Sequence, residues 1–184
     1  MPALRPLPLR IFLAPLLGAA LLLSACSEQT PQSPKEKTTR PSPPATVSTT
    51  VPSGATLTIR YSRPSANERK VFGGLVPYGQ VWRTGANEAT TFAVDKPVTV
   101  QGKPLPAGKY ALFTIPAEKE WTIIFNKTPN QWGAYEYEPA QDTLRVPAQP
   151  TQVAKRVEQF TITTNSTGQV TMAWENTQVT FAVK

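Results

Sequence analysis

A two-residue rhythm of apolar and polar side chains constrains this chain more than any other feature. Leu57, Ile59 and Tyr61 alternate with Thr56, Thr58 and Arg60. The same spacing returns at Phe160 and Ile162, at Val170, Met172 and Trp174, and at Val179, Phe181 and Val183. Successive side chains of an extended backbone point to opposite faces, so this spacing buries one face of a strand and wets the other. A helix needs apolar residues three and four apart, and no segment past residue 55 keeps that spacing for more than about two turns. Residues 90–94 and 98–101 read as short strands around Asp95-Lys96-Pro97, followed by a turn over 101–104. Residues 109–115 and 121–125 form the strongest hairpin and are apolar on both faces, so they belong in the middle of the fold, covered on two sides. A weaker strand is expected over 142–146, and turns over 165–168 and 175–178 separate the last three. About nine strands and little helix make an all-β protein, an antiparallel β-sandwich or barrel.

Ahead of that domain the composition changes twice. Residues 1–25 carry Arg5 and Arg10, then an apolar run over 11–23 that Pro15 interrupts, then Leu23-Ser24-Ala25-Cys26. A basic start, a short apolar run and small residues form a secretory signal, too short for a membrane-spanning helix of about 20 residues. Leu-Ser-Ala-Cys is similar to a bacterial lipobox, which makes Cys26 the lipid attachment point, with palmitate among its acyl chains. Two or more acyl chains anchor a protein stably where one does not. The expected address is the cell envelope, extracytoplasmic and lipid-anchored, with the membrane as a partner. Residues 26–54 then read as a disordered tether: from 27 to 54, 6 of 28 residues are Pro and 11 are Ser or Thr. Residues 55–184 are of a length for one domain with its own core.

Several chemistries are excluded by what is missing. The chain has no histidine, and its single cysteine is Cys26. That removes Ser-His and Cys-His nucleophilic catalysis, imidazole metal ligation and disulfides. With Asp95 and Asp142 the only aspartates, no Asp-rich cation loop exists, and no metal or cofactor is expected. The net charge is +7, falling to +5 without the two signal arginines. The basic residues are scattered in runs no longer than two, so no nucleic-acid partner is expected.

The segment over 69–91, Arg-Lys-Val-Phe-Gly-Gly-Leu-Val-Pro-Tyr-Gly-Gln-Val-Trp-Arg-Thr-Gly-Ala-Asn-Glu-Ala-Thr-Thr, is too rich in Gly and aromatics for a helix and too irregular for one strand. Its Phe72-Gly-Gly-Leu-Val-Pro-Tyr-Gly79 and Val81-Trp-Arg-Thr-Gly-Ala-Asn-Glu-Ala-Thr90 resemble the bacterial domain of unknown function 2911 family. So do Tyr61-Ser-Arg-Pro-Ser65, Leu105-Pro-Ala-Gly-Lys-Tyr110 and Trp132-Gly-Ala-Tyr135. The resemblance covers nearly all of 55–184 and implies an extracytoplasmic β-rich domain, often a lipoprotein, with no catalytic residues to carry over. In Leu105–Tyr110 a Tyr just after a Gly turn also has the look of a β-sandwich corner that caps a neighbouring loop; the plainer alternative is a buried Tyr near a turn.

Within the segment, Arg83 offers a planar fork of donors for a carboxylate or phosphate. Arg63, Asn87 and Glu88 can converge on it beside Tyr78 and Trp82, forming a pocket for a small anion or a carbohydrate. The structural alternative is an internal Arg83–Glu88 pair that fixes the loop, with Asn87 serving the backbone. Trp132, Tyr135 and Tyr137 make a second aromatic group, interleaved with Glu136 and Glu138. The leading expectation is a non-enzymatic binding or envelope-associated module. Its rival is a carboxylate-dependent hydrolase of envelope glycans, drawing on Glu88, Glu136, Glu138 or Asp142, though spacing alone selects no pair. A third reading, a structural partner for another envelope protein, requires an exposed apolar patch.

Overall fold

The alternating positions become strands whose two faces meet two different layers. A computed structural model describes residues 40–184. The expected signal, Cys26 and the first part of the tether lie outside the described residues. The described residues form ten strands: β1 (Pro44–Thr50), β2 (Thr56–Ser62), β3 (Thr90–Val94), β4 (Val98–Val100), β5 (Lys103–Leu105), β6 (Gly108–Ile115), β7 (Trp121–Asn126), β8 (Asp142–Ala148), β9 (Pro150–Thr164) and β10 (Gln169–Ala182). Among the described residues the one helical element is a 3-10 turn, Pro139–Gln141.

Six strands form one antiparallel sheet in the order β1-β2-β3-β6-β7-β8. β9 and β10 make a long hairpin and β4 and β5 a short one. Leu57, Ile59, Phe92, Leu112, Ile123 and Phe125 from the large sheet share one core with Phe160, Ile162, Met172, Trp174 and Phe181 from the long hairpin. Tyr61 meets Phe160 edge-on at 5.7 Å and Phe125 meets Phe181 at 6.2 Å, so rings bridge the two layers. Fully burying each such side chain contributes roughly 1.5–3 kcal/mol, which is what holds the layers together. The fold is an all-β antiparallel sandwich.

The central hairpin lies where its apolar pattern puts it. β6 and β7 are interior strands, and their second faces hold Ala111, Phe113 and Ile124 in a smaller cluster with Ala89, covered by Val81, Ala134 and Tyr137. Thus the loops carrying Trp82 and Tyr137 roof the far side of the sheet. The Tyr110 hydroxyl donates to the Pro106 carbonyl at 2.9 Å, closing the expected corner, and burial raises the Tyr110 pKa.

Two expectations are corrected. The folded region starts earlier than residue 55, because residues 44–50, expected in the tether, are edge strand β1 in full register with β2. Ala45 and Val47 pack on the core while the alternate Pro, Thr and Ser side chains face water, which is how an edge strand tolerates polar composition. Residues 175–178 form no turn. β10 runs through them, and Glu175, at a φ of 55°, sits where the pairing with β9 shifts register. A bulge absorbs the polar residues without ending the strand.

Candidate functional site

The loop between β2 and β3 is built by small residues at close approaches. Val71 and Val76 close a tight turn through the Val76 N–H to the Val71 carbonyl at 2.8 Å. Inside it Gly73 has a φ of 76°, and a Cβ there would lie 2.6 Å from the Tyr78 ring. Phe72 is thereby driven inward, edge-on to Trp82, Trp121 and Trp174 at 5.8, 4.6 and 6.2 Å. Trp82 then exchanges both backbone hydrogen bonds with Thr114, at 2.8 and 2.9 Å, which fixes the next residue's position beside β6.

Residues 82–90 fold back on themselves. The Trp82 indole N–H donates to the Gly85 carbonyl at 3.1 Å, and the Thr90 hydroxyl donates to the Thr84 carbonyl at 2.6 Å. Gly85 is required because a Cβ there would lie 2.9 Å from the Ser62 carbonyl oxygen. The result is a loop held by its own hydrogen bonds.

A half-open pocket of about 260 Å³ lies against this loop. Pro64, Leu75, Val76, Pro77, Val81 and Ala86 supply carbon walls, Trp82 and Trp174 two indoles, and Gln80 and Arg83 the polar side chains. The two indoles stack with centroids 5.8 Å apart and planes 19° from parallel. Trp174 donates its N–H to the Glu158 carbonyl at 3.2 Å, so both indole donors are spent inside the fold.

Arg83 is the charged group in this lining. Its Nε is sealed from solvent and has no acceptor among the described residues. Glu88 does not serve it. Glu88 pairs instead with Arg40 at 2.7 Å, and that hydrogen bond is the main cause holding the Glu88 carboxyl below its usual pKa. The internal Arg83–Glu88 pair expected as the structural alternative is therefore absent.

Of the six residues expected to bind ligand, the pocket brings together Trp82 and Arg83. Arg63 staples the two layers, donating to the Phe160 carbonyl at 3.2 Å and the Thr161 hydroxyl at 3.0 Å. Tyr78 lies over Gly73. The Asn87 side-chain amide donates to the Ser42 carbonyl at 3.4 Å and its backbone carbonyl accepts the Gly133 N–H at 3.0 Å, tying the chain entry and the loop at 133 to this loop. Glu88 is on the surface with Arg40. Leu75, Val76 and Pro77 lay inside the conspicuous segment and could have been named with the site. Trp174 lies too far along the chain for any local pattern to place it there.

The second aromatic group divides in two. Trp132 and Tyr135 are 58% and 85% exposed, whereas Tyr137 is drawn in over Phe113 with ring centroids 5.0 Å apart. The Tyr137 hydroxyl donates to Asp142 Oδ2 at 2.6 Å, and Arg145 donates to the same oxygen at 2.8 Å through Nε and to the Tyr137 oxygen at 2.7 Å. Asn126 serves Asp142 Oδ1 at 2.8 Å. Burial, with the Asp142 hydrogen bond second, raises the Tyr137 pKa to about 12. This cluster is closed on itself. Among the described residues no group of three or more His, Cys, Asp or Glu could hold a metal ion.

A family model described as a protein of unknown function, DUF2911, aligns with residues 42–183. No curated protein and no solved structure matches the chain.

Proposed function

We propose that this chain, which belongs to the DUF2911 family of proteins of unknown function, is a lipid-anchored binding module of the cell envelope whose pocket takes an anionic ligand on Arg83. One observation carries the binding part: Arg83 lines a pocket, and among the described residues no carboxylate is paired with it. A guanidinium offers a carboxylate two parallel charge-assisted hydrogen bonds. No carboxylate lines the pocket, which favours binding over the two-carboxyl hydrolysis that is its competitor. The anchoring part rests on Leu23-Ser24-Ala25-Cys26 behind an apolar run.

The test is anion titration of the full-length chain, followed by thermal unfolding. Carboxylates raise the unfolding temperature of the natural chain and leave Arg83→Ala unmoved, with the variant's own stability near that of the parent. An equal rise in both would remove Arg83 from the site. Labelled palmitate enters the natural chain and is absent from Cys26→Ser; label in both would remove the lipid attachment from Cys26.

A further inference from the structure

We infer that the ligand of this pocket is a small organic monocarboxylate with an apolar body, and neither a sugar nor a phosphate ester. The inference rests on the binding reading above and adds the chemical class.

The lining sorts into a head site and a body site. The head site is one guanidinium. Its Nε is out of reach of solvent, so the ligand of this proposal meets Arg83 through the terminal nitrogens, a fork that suits two oxygens. One cation balances one negative charge. A phosphate ester at neutral pH carries up to two charges, and no second basic side chain lines the pocket.

The body site is carbon. Six of the lining side chains are aliphatic, counting Pro and Ala with Leu and Val, and both indoles have committed their N–H groups elsewhere. A sugar ring brings a hydroxyl on most of its carbons, and Gln80 alone remains among neutral polar side chains to meet them. Each buried hydroxyl left without a partner costs free energy, so this wall rejects a polyol. An apolar chain or ring loses nothing there and gains by leaving water. The volume, about 260 Å³, lies under the roughly 300–1,000 Å³ of pockets for drug-sized ligands, which sets the size as small.

The experiment is isothermal titration of the full-length chain with four probes: acetate, hexanoate, glucuronate and inorganic phosphate, plus hexanol as a body without a charge. Hexanoate should bind at least about tenfold tighter than acetate, since its added methylenes are each worth up to about 0.8 kcal/mol when buried and 1.4 kcal/mol is tenfold. Glucuronate should bind no better than acetate, and hexanol weaker than hexanoate. Leu75→Ala, which trims an exposed part of the wall, should weaken hexanoate about threefold and leave acetate unchanged. Glucuronate or phosphate binding tighter than hexanoate, and lost in Arg83→Leu, would overturn the class while leaving the anion site standing. Hexanol equal to hexanoate, or no binding by any probe, would overturn both.

Discussion

Arg83 and Arg145 are both guanidiniums set beside aromatic rings, and the fold treats them in opposite ways. Arg145 donates to Asp142 and to Tyr137, and Asn126 completes the carboxylate, so this half-exposed guanidinium already has its anion beside it. Arg83 has pocket walls of carbon and, among the described residues, no carboxylate paired with it. A cation with its anion beside it reads as structure, and one that lines a cavity with no carboxylate paired to it among the described residues reads as a place for a ligand. Residue type did not separate the two; partners did.

The largest effect that would sharpen this contrast is Asp142→Ala. The Asp142 side chain is only 7% exposed, and removing it strands Tyr137, Asn126 and a half-exposed Arg145. Urea unfolding should show a loss of about 2–3 kcal/mol with hexanoate affinity unchanged. A change in affinity without that loss would make the closed cluster part of the site. Next comes Gly85→Ala, expected to cost about 2 kcal/mol by pushing against the Ser62 carbonyl, and to weaken binding because Gly85 lines the pocket. If stability held and binding fell, the loop would be less fixed than its hydrogen bonds indicate.

A third test is the ultraviolet titration of tyrosine. Tyr137 should ionise near pH 12 in the folded chain, against a usual value of 10.0. Because the folded value is the higher, this group's contribution to stability is fully present below about pH 10 and is lost as pH rises toward 12. Phenolate formation by all tyrosines near pH 10 would mean the cluster is open to water. The smallest effect is Glu88→Gln. The Glu88–Arg40 partners are 49% and 51% exposed, so the change should be under about 0.5 kcal/mol. What little the pair contributes is present above the usual carboxylate range and fades as pH falls through the lowered Glu88 pKa. A change in ligand affinity in Glu88→Gln would return Glu88 to the pocket.

Much of the architecture was legible because burial imprints itself on spacing. Leu57, Ile59 and Tyr61, or Val170, Met172 and Trp174, declare both a strand and its inner face. β1 escaped notice because an edge strand with one wet face can be written in Pro, Ser and Thr, and Ala45 and Val47 were too few to outweigh them. The break expected at Glu175 failed for a related reason: polar residues signal a turn, while a bulge uses them without reversing the chain. At the site, a forked donor beside Trp82 in a glycine-jointed loop marked Arg83. Which carboxylate it meets was not legible, since Glu88 is five positions away in sequence yet is held by Arg40. Nor could spacing bring Trp174 to Trp82, because that contact is made by the layers closing.

The most direct test of an anion site at Arg83 is the NMR signal of its Nε–Hε group, followed during titration of the full-length chain with hexanoate. A progressive, saturable shift of the Arg83 signal with the Arg145 signal unmoved is the predicted result. An Arg83 signal that stays in place at saturating hexanoate, or moves no more than that of Arg145, would contradict it.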